Sequence, residues 1–567
     1  MQITNKIHFR NLRGDLFGGL TAAIIALPMA LAFGVASGAG AVAGLWGAVL
    51  VGFFAALFGG TPTLISEPTG PMTVVMTAVI ANLTAANPEN GMAMAFTVVM
   101  MAGVVQMLLG AFRLGRYVTL MPYTVISGFM SGIGIILIIL QTAPFLGQAS
   151  PKGGILGTLG SLPELLQNIS PAETILSGMT LALLFLTPRA LKKVVPPQLI
   201  ALVVGTIVSL TVFSNLDIRR IGEIPTSLPS LQVPTFTADQ FQLMLVDALV
   251  LGMLGCIDAL LTSVVADSLT RTEHNSNKEL IGQGLGNLFS GLFGGLAGAG
   301  ATMGTVVNIQ SGGRTALSGL TRAFILLVVV LWAAPLTANI PLAVLAGIAI
   351  KVGINIIDWN FLKRAHQISL KAAFIMYGVI ALTVFVDLMV AVGVGIFIAN
   401  ILTIENLSKM QSNSVKAVKA ITDTDDQIVL NPTEKQLLDR AEGRVLLFHL
   451  SGPMIFGVAK AISREHNVID NYESLILDLS DVPLLGVTSS LAIENAIQEA
   501  IEADRHVFIV GATGRIQRRL QKLGIWQSIP PQHLLLDRQE ALTQALALIE
   551  PQDESESSTP SSIGSLG

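Results

Sequence analysis

Apolar residues fall in long blocks along this chain, near 15–36, 41–59, 93–111, 120–141, 173–188, 197–215, 241–267, 278–297, 317–336, 341–357, 370–386 and 388–406. A helix that spans a bilayer needs about 20 such residues, so each block predicts a helix that spans or enters a membrane. Two further stretches, Thr69–Leu83 and Ala301–Gln310, are too short for a full span, and each follows Gly and other small residues, with Pro before the first. Counted as half-helices, they bring the total to about 14 segments. After residue 410 the pattern changes. Val445–Leu450, Ser474–Leu479 and Val507–Val510 read as short buried strands, separated by helices at Thr488–Glu502 and Arg515–Leu523. That alternation is α/β. The expected fold is an all-α polytopic membrane domain followed by an α/β domain. The Ser-rich end, Asp553–Gly567, has the composition of a disordered tail.

Composition agrees. The 567 residues are 52% hydrophobic and 12% charged, against about 25% charged in soluble domains. Up to residue 410 there are 20 Lys/Arg and 16 Asp/Glu; the last 157 residues hold 13 and 21. A single cysteine, Cys256, excludes a disulfide framework, and none of the 7 histidines stands at metal-ligand spacing. Metal-dependent hydration of the carbonic anhydrase type is thereby disfavoured, and the chain is not expected to be an enzyme. Net charge −4 and pI near 6.0 provide no basic face for nucleic acid. Lys6, Arg10 and Arg13 lead into the first apolar run with no cleavage site, so the N-terminus is not a removable signal.

Basic residues set the orientation. Arg113 and Arg116, then Arg189, Lys192 and Lys193, Arg271 and Lys278, Arg314 and Arg322, and Lys363, Arg364 and Lys371 fall in alternate loops. The N-terminus and the C-terminal domain are therefore expected in the cytoplasm, with the body in the plasma (inner) membrane. Segments 1–7 (about 15–215) and 8–14 (about 241–406) each have their short element third. Seven is odd, so the second set runs in the opposite sense, and matching interruptions point to a transporter site between inverted repeats. Residues 216–240, rich in Pro, Thr and Ser, read as the connection.

The chemistry lies at the interruptions. In Ser66-Glu67-Pro68-Thr69-Gly70-Pro71 a helix begins at membrane depth, and its free N–H groups and roughly +0.5 elementary charge suit an anion. Gly298-Ala299-Gly300-Ala301-Thr302-Met303-Gly304-Thr305 has the same ingredients without proline. Asp258 lies deep in its block with no Lys or Arg within two turns, and a charge there normally has a role. Thr262 is one turn on. A carboxylate, a hydroxyl and free carbonyls near Gly300–Thr302 make an environment for a hard cation, Na⁺, or for a proton. Asp247 is read as lying at the outer end of its helix, Asp267 and Glu279 as solvated or capping, and Asp387 as interfacial. Pro28 is a candidate kink that exposes carbonyls. Glu67 would repel an anion unless turned to the cytoplasm or protonated.

These stretches resemble the sulfate permease (SulP) family of anion transporters. Ser66–Met72 looks like its Ser-x-x-x-Gly-Pro stretch; Ile257–Asp267 with Asn275–Asn287 resembles its eighth and ninth segments, and Thr305–Thr315 its tenth segment and following loop. The likeness runs from about residue 10 to 550 and is strongest to the sodium-dependent bicarbonate carriers of the family. It implies a seven-plus-seven inverted repeat with core and gate subdomains, a homodimer, and Na⁺/HCO₃⁻ symport by alternating access. Thr69, Gly70, Ala301 and Thr302 would line bicarbonate, and Asp258, Thr262, Gly300 and Thr302 would hold the coupling sodium. Many relatives carry Arg where Gly304 stands, which suggests that bound Na⁺ supplies that charge here. The last domain resembles the STAS domain, with Gly486-Val487-Thr488-Ser489-Ser490 departing from its phosphorylatable motif. The domains implied are 1–410 for transport, 411–435 as linker, 436–550 as STAS and 551–567 as tail. A sulfate or dicarboxylate carrier on the same scaffold, or an anion channel, is the alternative.

Overall fold

Backbone in lipid must satisfy its own hydrogen bonds, and long apolar blocks therefore fold as helices. The structure is a computed structural model that describes residues 4–5, 9–115, 122–188, 191, 195–222, 229–333, 337–386, 390–391, 394–395, 397–398, 400–405, 415–418, 430–455 and 472–550. Asp387, the tail 551–567 and the basic residues Arg116, Arg189, Lys192 and Lys193 lie outside them. The chain divides into two compact units, Met1–Ala399 and Asn400–Gly567.

In the first unit the order is α1 (Leu12–Ala36), α2 (Ala41–Phe58), β1 (Ser66–Glu67), α3 (Gly70–Ala86), α4 (Gly91–Ala111), α5 (Tyr123–Leu140), α6 (Pro171–Leu186) and α7 (Pro197–Thr211), with short helical pieces between 142 and 167. The second set follows: α8 (Ala238–Thr270), α9 (Ser276–Leu292), β2 (Ala299–Gly300), α10 (Thr302–Gln310), α11 (Ala316–Val328), α12 (Leu342–Ile356), α13 (Trp359–Ile368) and α14 (Leu370–Phe385), with helical residues again between 390 and 405. Six of the described helices are long and apolar enough to cross a membrane. Pro28 lies inside an unbroken α1.

Glycine lets these helices approach to backbone contact, as small residues do in membranes. A Cβ on Gly103 of α4 would fall 2.5 Å from the Gly284 carbonyl of α9, and one on Gly284 would meet the Gly103 carbonyl at the same distance. Gly134 of α5 and Gly353 of α12 are matched in the same way, at 2.6 and 2.8 Å.

One expectation is overturned in this unit. Arg322, counted above among the loop charges, is fully buried nearly two turns inside α11. Of that pair only Arg314 is exposed. An arginine in an apolar span is held by a built-in partner, which is described with the site.

The second unit is α/β. Its sheet has the order β3 (Val415–Val418), β4 (Val445–Ser451), β5 (Ser474–Asp481), β6 (His506–Val510) and β7 (Leu534–Leu535); β3 is antiparallel to β4 and the rest are parallel. Alternate side chains point to opposite faces. Leu475, Leu477 and Ile509 pack with α16 (Val487–Glu502) and α17 (Gly514–Lys522), after α15 (Pro432–Arg440); Ile476, Phe508 and Val510 pack with α18 (Arg538–Ile549) and α15. Both faces are covered, as a mostly parallel sheet requires. Ser489 and Ser490, in the altered motif, are buried, whereas Thr488 is exposed.

Candidate functional site

The two interruptions meet. β1 pairs antiparallel with β2, Ser66 opposite Gly300 and Glu67 opposite Ala299, so the chain enters α3 and α10 in opposed directions from one point. Non-helical backbone at this depth must find partners within the protein, and polar side chains supply them. Thr305 Oγ1 accepts the Ile65 N–H at 3.0 Å, Asn308 Nδ2 donates to the Thr63 carbonyl at 2.9 Å, and the Ala301 N–H donates to the Ile65 carbonyl at 2.8 Å. Asn287 brackets Gly298, receiving its N–H at 2.8 Å and donating to its carbonyl at 2.9 Å. Glu279 Oε2 accepts the N–H groups of Gly60 and Thr61, each at 2.8 Å. Glu279 is therefore neither solvated nor a helix cap: it is buried and holds the turn that follows α2. Asp267 holds the loop after α8 through His274, whose ring nitrogen lies 2.6 Å away.

What is left unsatisfied is the start of each half-helix. Neither Thr69, the N-cap of α3, nor Ala301, the N-cap of α10, provides a side-chain cap. Thr69 Oγ1 instead donates to Asp258 Oδ2 at 2.7 Å. Thr262 Oγ1 donates to the Gly300 carbonyl at 2.9 Å and lies 2.9 Å from Thr302 Oγ1. Thr69, Asp258, Thr262, Gly300 and Thr302 thus form two adjoining hydrogen-bonded groups around the crossing. Gly70 begins α3, and a Cβ on it would stand 2.4 Å from Ile356 Cδ1, the end of a side chain that would have to shift. Ala301 is buried and Thr302 exposed, so the α10 end opens outward from the protein interior. One carboxylate, two hydroxyls and a carbonyl form an all-oxygen donor set of the kind that can hold a hard cation. Asp247 is not part of this group; it lines a cavity of 440 Å³ with Thr77, Asn82 and Thr383.

Glu67 has a partner that the sequence did not suggest. Its Oε2 is hydrogen-bonded to Arg322 Nη2, and Arg322 Nη1 donates to the carbonyls of Ala48 at 3.0 Å and Ser66 at 2.9 Å. Both side chains are buried. A charge inside the apolar block 317–336 was the available signal; the pairing spans 255 positions and has no local signature. Asp15 was also missed. It is buried and accepts the N–H groups of Arg314 and Thr315 at 2.8 and 3.0 Å, holding Thr315, which is itself the N-cap of α11.

A multi-pass membrane body with two opposed half-helices at its centre, carrying a STAS unit, defines a class of anion transporter, and the chain belongs to the sulfate permease family. The model of that family matches residues 12–379, and that of the STAS domain residues 437–541. The bicarbonate transporter BicA of Synechocystis sp. is 70% identical over 563 residues, 99% of this chain and 99% of its own. BicA of Picosynechococcus sp. is 70% identical over 555 residues, 97% of this chain and 98% of its own. The solved transmembrane domain of a cyanobacterial BicA is 76% identical, covering 69% of this chain and all of its own with a TM-score of 0.67. The murine anion transporter Slc26a9 in its inward-facing state shares the fold over 96% of this chain and 92% of its own, with a TM-score of 0.81 at 20% identity.

Proposed function

We propose that this protein takes up bicarbonate together with Na⁺ by alternating access. The observation that carries the reading is a buried carboxylate, Asp258, hydrogen-bonded to the N-cap of an open half-helix and paired with no basic side chain among the described residues. Its near-full-length identity to bicarbonate transporters supplies the anion. Bicarbonate would sit between the starts of α3 and α10, at Thr69, Gly70, Ala301 and Thr302. Sodium would sit against Asp258, Thr262, the Gly300 carbonyl and Thr302. Thr302 is common to both sets, and Thr69 ties the anion side to Asp258.

Two unit charges about 5 Å apart at an effective dielectric near 20 attract by about 3 kcal/mol, roughly a hundredfold in affinity. Coupling of that size is reciprocal: each ion tightens the binding of the other. Symport follows when the singly occupied protein is the poorer traveller. The same reading places residues 1–410 in transport, 436–550 in the STAS domain, both termini in the cytoplasm, and two chains in the working assembly in the inner membrane.

The test is uptake of radiolabelled bicarbonate against radiolabelled sulfate in proteoliposomes, with and without an inward Na⁺ gradient. Bicarbonate uptake stimulated by Na⁺ is expected. Sulfate uptake indifferent to Na⁺ would replace this reading with that of a sulfate carrier on the same scaffold.

A further inference from the structure

The Glu67–Arg322 pair lies against the half-helix crossing, not beside it. Arg322 holds the Ser66 carbonyl of β1, and Glu67 is two residues before the N-cap Thr69. The second carboxylate oxygen faces the other half-helix: a Cβ on Gly304 would stand 3.6 Å from Glu67 Oε1. Gly304 is in the first turn of α10, where a carboxylate offsets the positive end of the helix. Fastening two carbonyls with an arginine requires a counter-charge, but does not require it at that helix start.

We propose that Glu67 sets the sodium dependence of the anion site. Its carboxylate cancels the Arg322 charge and offsets the α10 end, so the site carries too little fixed positive charge to hold an anion until a cation joins Asp258. This inference rests on the symport reading and deepens it. Glu67 is a positioning residue: it acts through the field at the site.

The sign of the effect separates this role from a structural one. Full-length variants are reconstituted in proteoliposomes, and the KM for radiolabelled bicarbonate is measured across a series of Na⁺ concentrations. Glu67→Gln leaves Arg322 positive, so KM at low Na⁺ falls about tenfold and Na⁺ stimulation shrinks. Arg322→Gln leaves Glu67 negative, so KM rises about tenfold and the Na⁺ requirement steepens. The doubly neutral Glu67→Gln/Arg322→Gln protein lies between Glu67→Gln and the parent, because the Arg322 charge is gone but the α10 end is no longer offset. Loss of a merely structural contact would move both single variants the same way, and that result overturns the proposal, as do folded variants with unchanged Na⁺ dependence. Melting curves in detergent report folding. Where a single variant does not fold, Glu67→Asp, which draws the carboxylate back from Gly304, takes its place; KM must fall with it, and an unchanged KM overturns the proposal. Absence of Na⁺ stimulation in the parent protein would count against symport itself, while the opposite KM shifts would still decide the role of the pair.

Discussion

Asp258 in the membrane unit and Asp478 in the STAS unit are both shut away from solvent, at 8% and 1% exposure, but their surroundings differ. Asp478 accepts from His449 Nδ1 at 2.9 Å, from Arg538 Nη1 at 3.1 Å and from the Ser480 N–H at 3.0 Å. Burial pushes its carboxyl up, but the His449 and Ser480 hydrogen bonds outweigh it and hold the group down at about 2. Arg538 reaches on to Glu434, closing the network. Asp258 receives one threonine hydroxyl and no basic side chain among the described residues. A buried charge without a partner is costly. Where the protein supplies the cation, as Arg538 does at Asp478, the charge of the carboxylate is balanced within the fold. Where it supplies none, as at Asp258, the proposed symport has an ion from outside balance the carboxylate.

The largest way to break this comparison is Asp258→Ala. Na⁺-driven bicarbonate uptake should fall more than a hundredfold while the melting curve in detergent stays near that of the parent, since the alanine removes a charge that nothing in the protein balances. Strong Na⁺-stimulated uptake by this variant would sink the cation assignment. Thr262→Val comes next. It removes the hydroxyl joining the Gly300 carbonyl to Thr302, worth about 1 kcal/mol, so the Na⁺ concentration for half-maximal uptake should rise five- to tenfold with little change in maximal rate.

Asp478→Asn tests the other side. It should destabilise the STAS unit by about 2 kcal/mol, read by hydrogen exchange in β4–β6, with bicarbonate KM unchanged. The pH dependence has a definite sign. The carboxyl of Asp478 is depressed from 3.8 to about 2 in the fold, so its stabilisation is complete above the unfolded value and lost as pH falls towards 2. Parent and variant should therefore converge over that window; a constant gap would rule out a charge effect. The smallest expected change is from Gly304→Arg. A guanidinium there reaches Glu67, so the added charge is partly cancelled and Na⁺ dependence should weaken only two- to threefold, less than in Glu67→Gln.

The half-helices, Asp258, Thr262 and the small residues of the site were all legible in the sequence, because membrane depth makes a lone carboxylate or a broken helix conspicuous. The strands at 445, 474 and 507 were legible through their alternation of core faces. Arg322 was misread, because a loop-charge count assigns each basic residue to the nearest break and cannot see a partner 255 positions away. Asn287, Thr305 and Asn308 were visible only as parts of a resemblance; their work is to satisfy the irregular backbone.

Local sequence determined which segments are helices, where two of them stop short, and which deep carboxylate has no basic residue within two turns, since each follows from hydrophobic length and nearby residue type. Only the tertiary structure decided that β1 and β2 meet, that Thr69 joins Asp258, and that Glu67 is neutralised by Arg322. These contacts bring together residues hundreds of positions apart, and their energies depend on burial and distance, neither of which is written in the order of the residues.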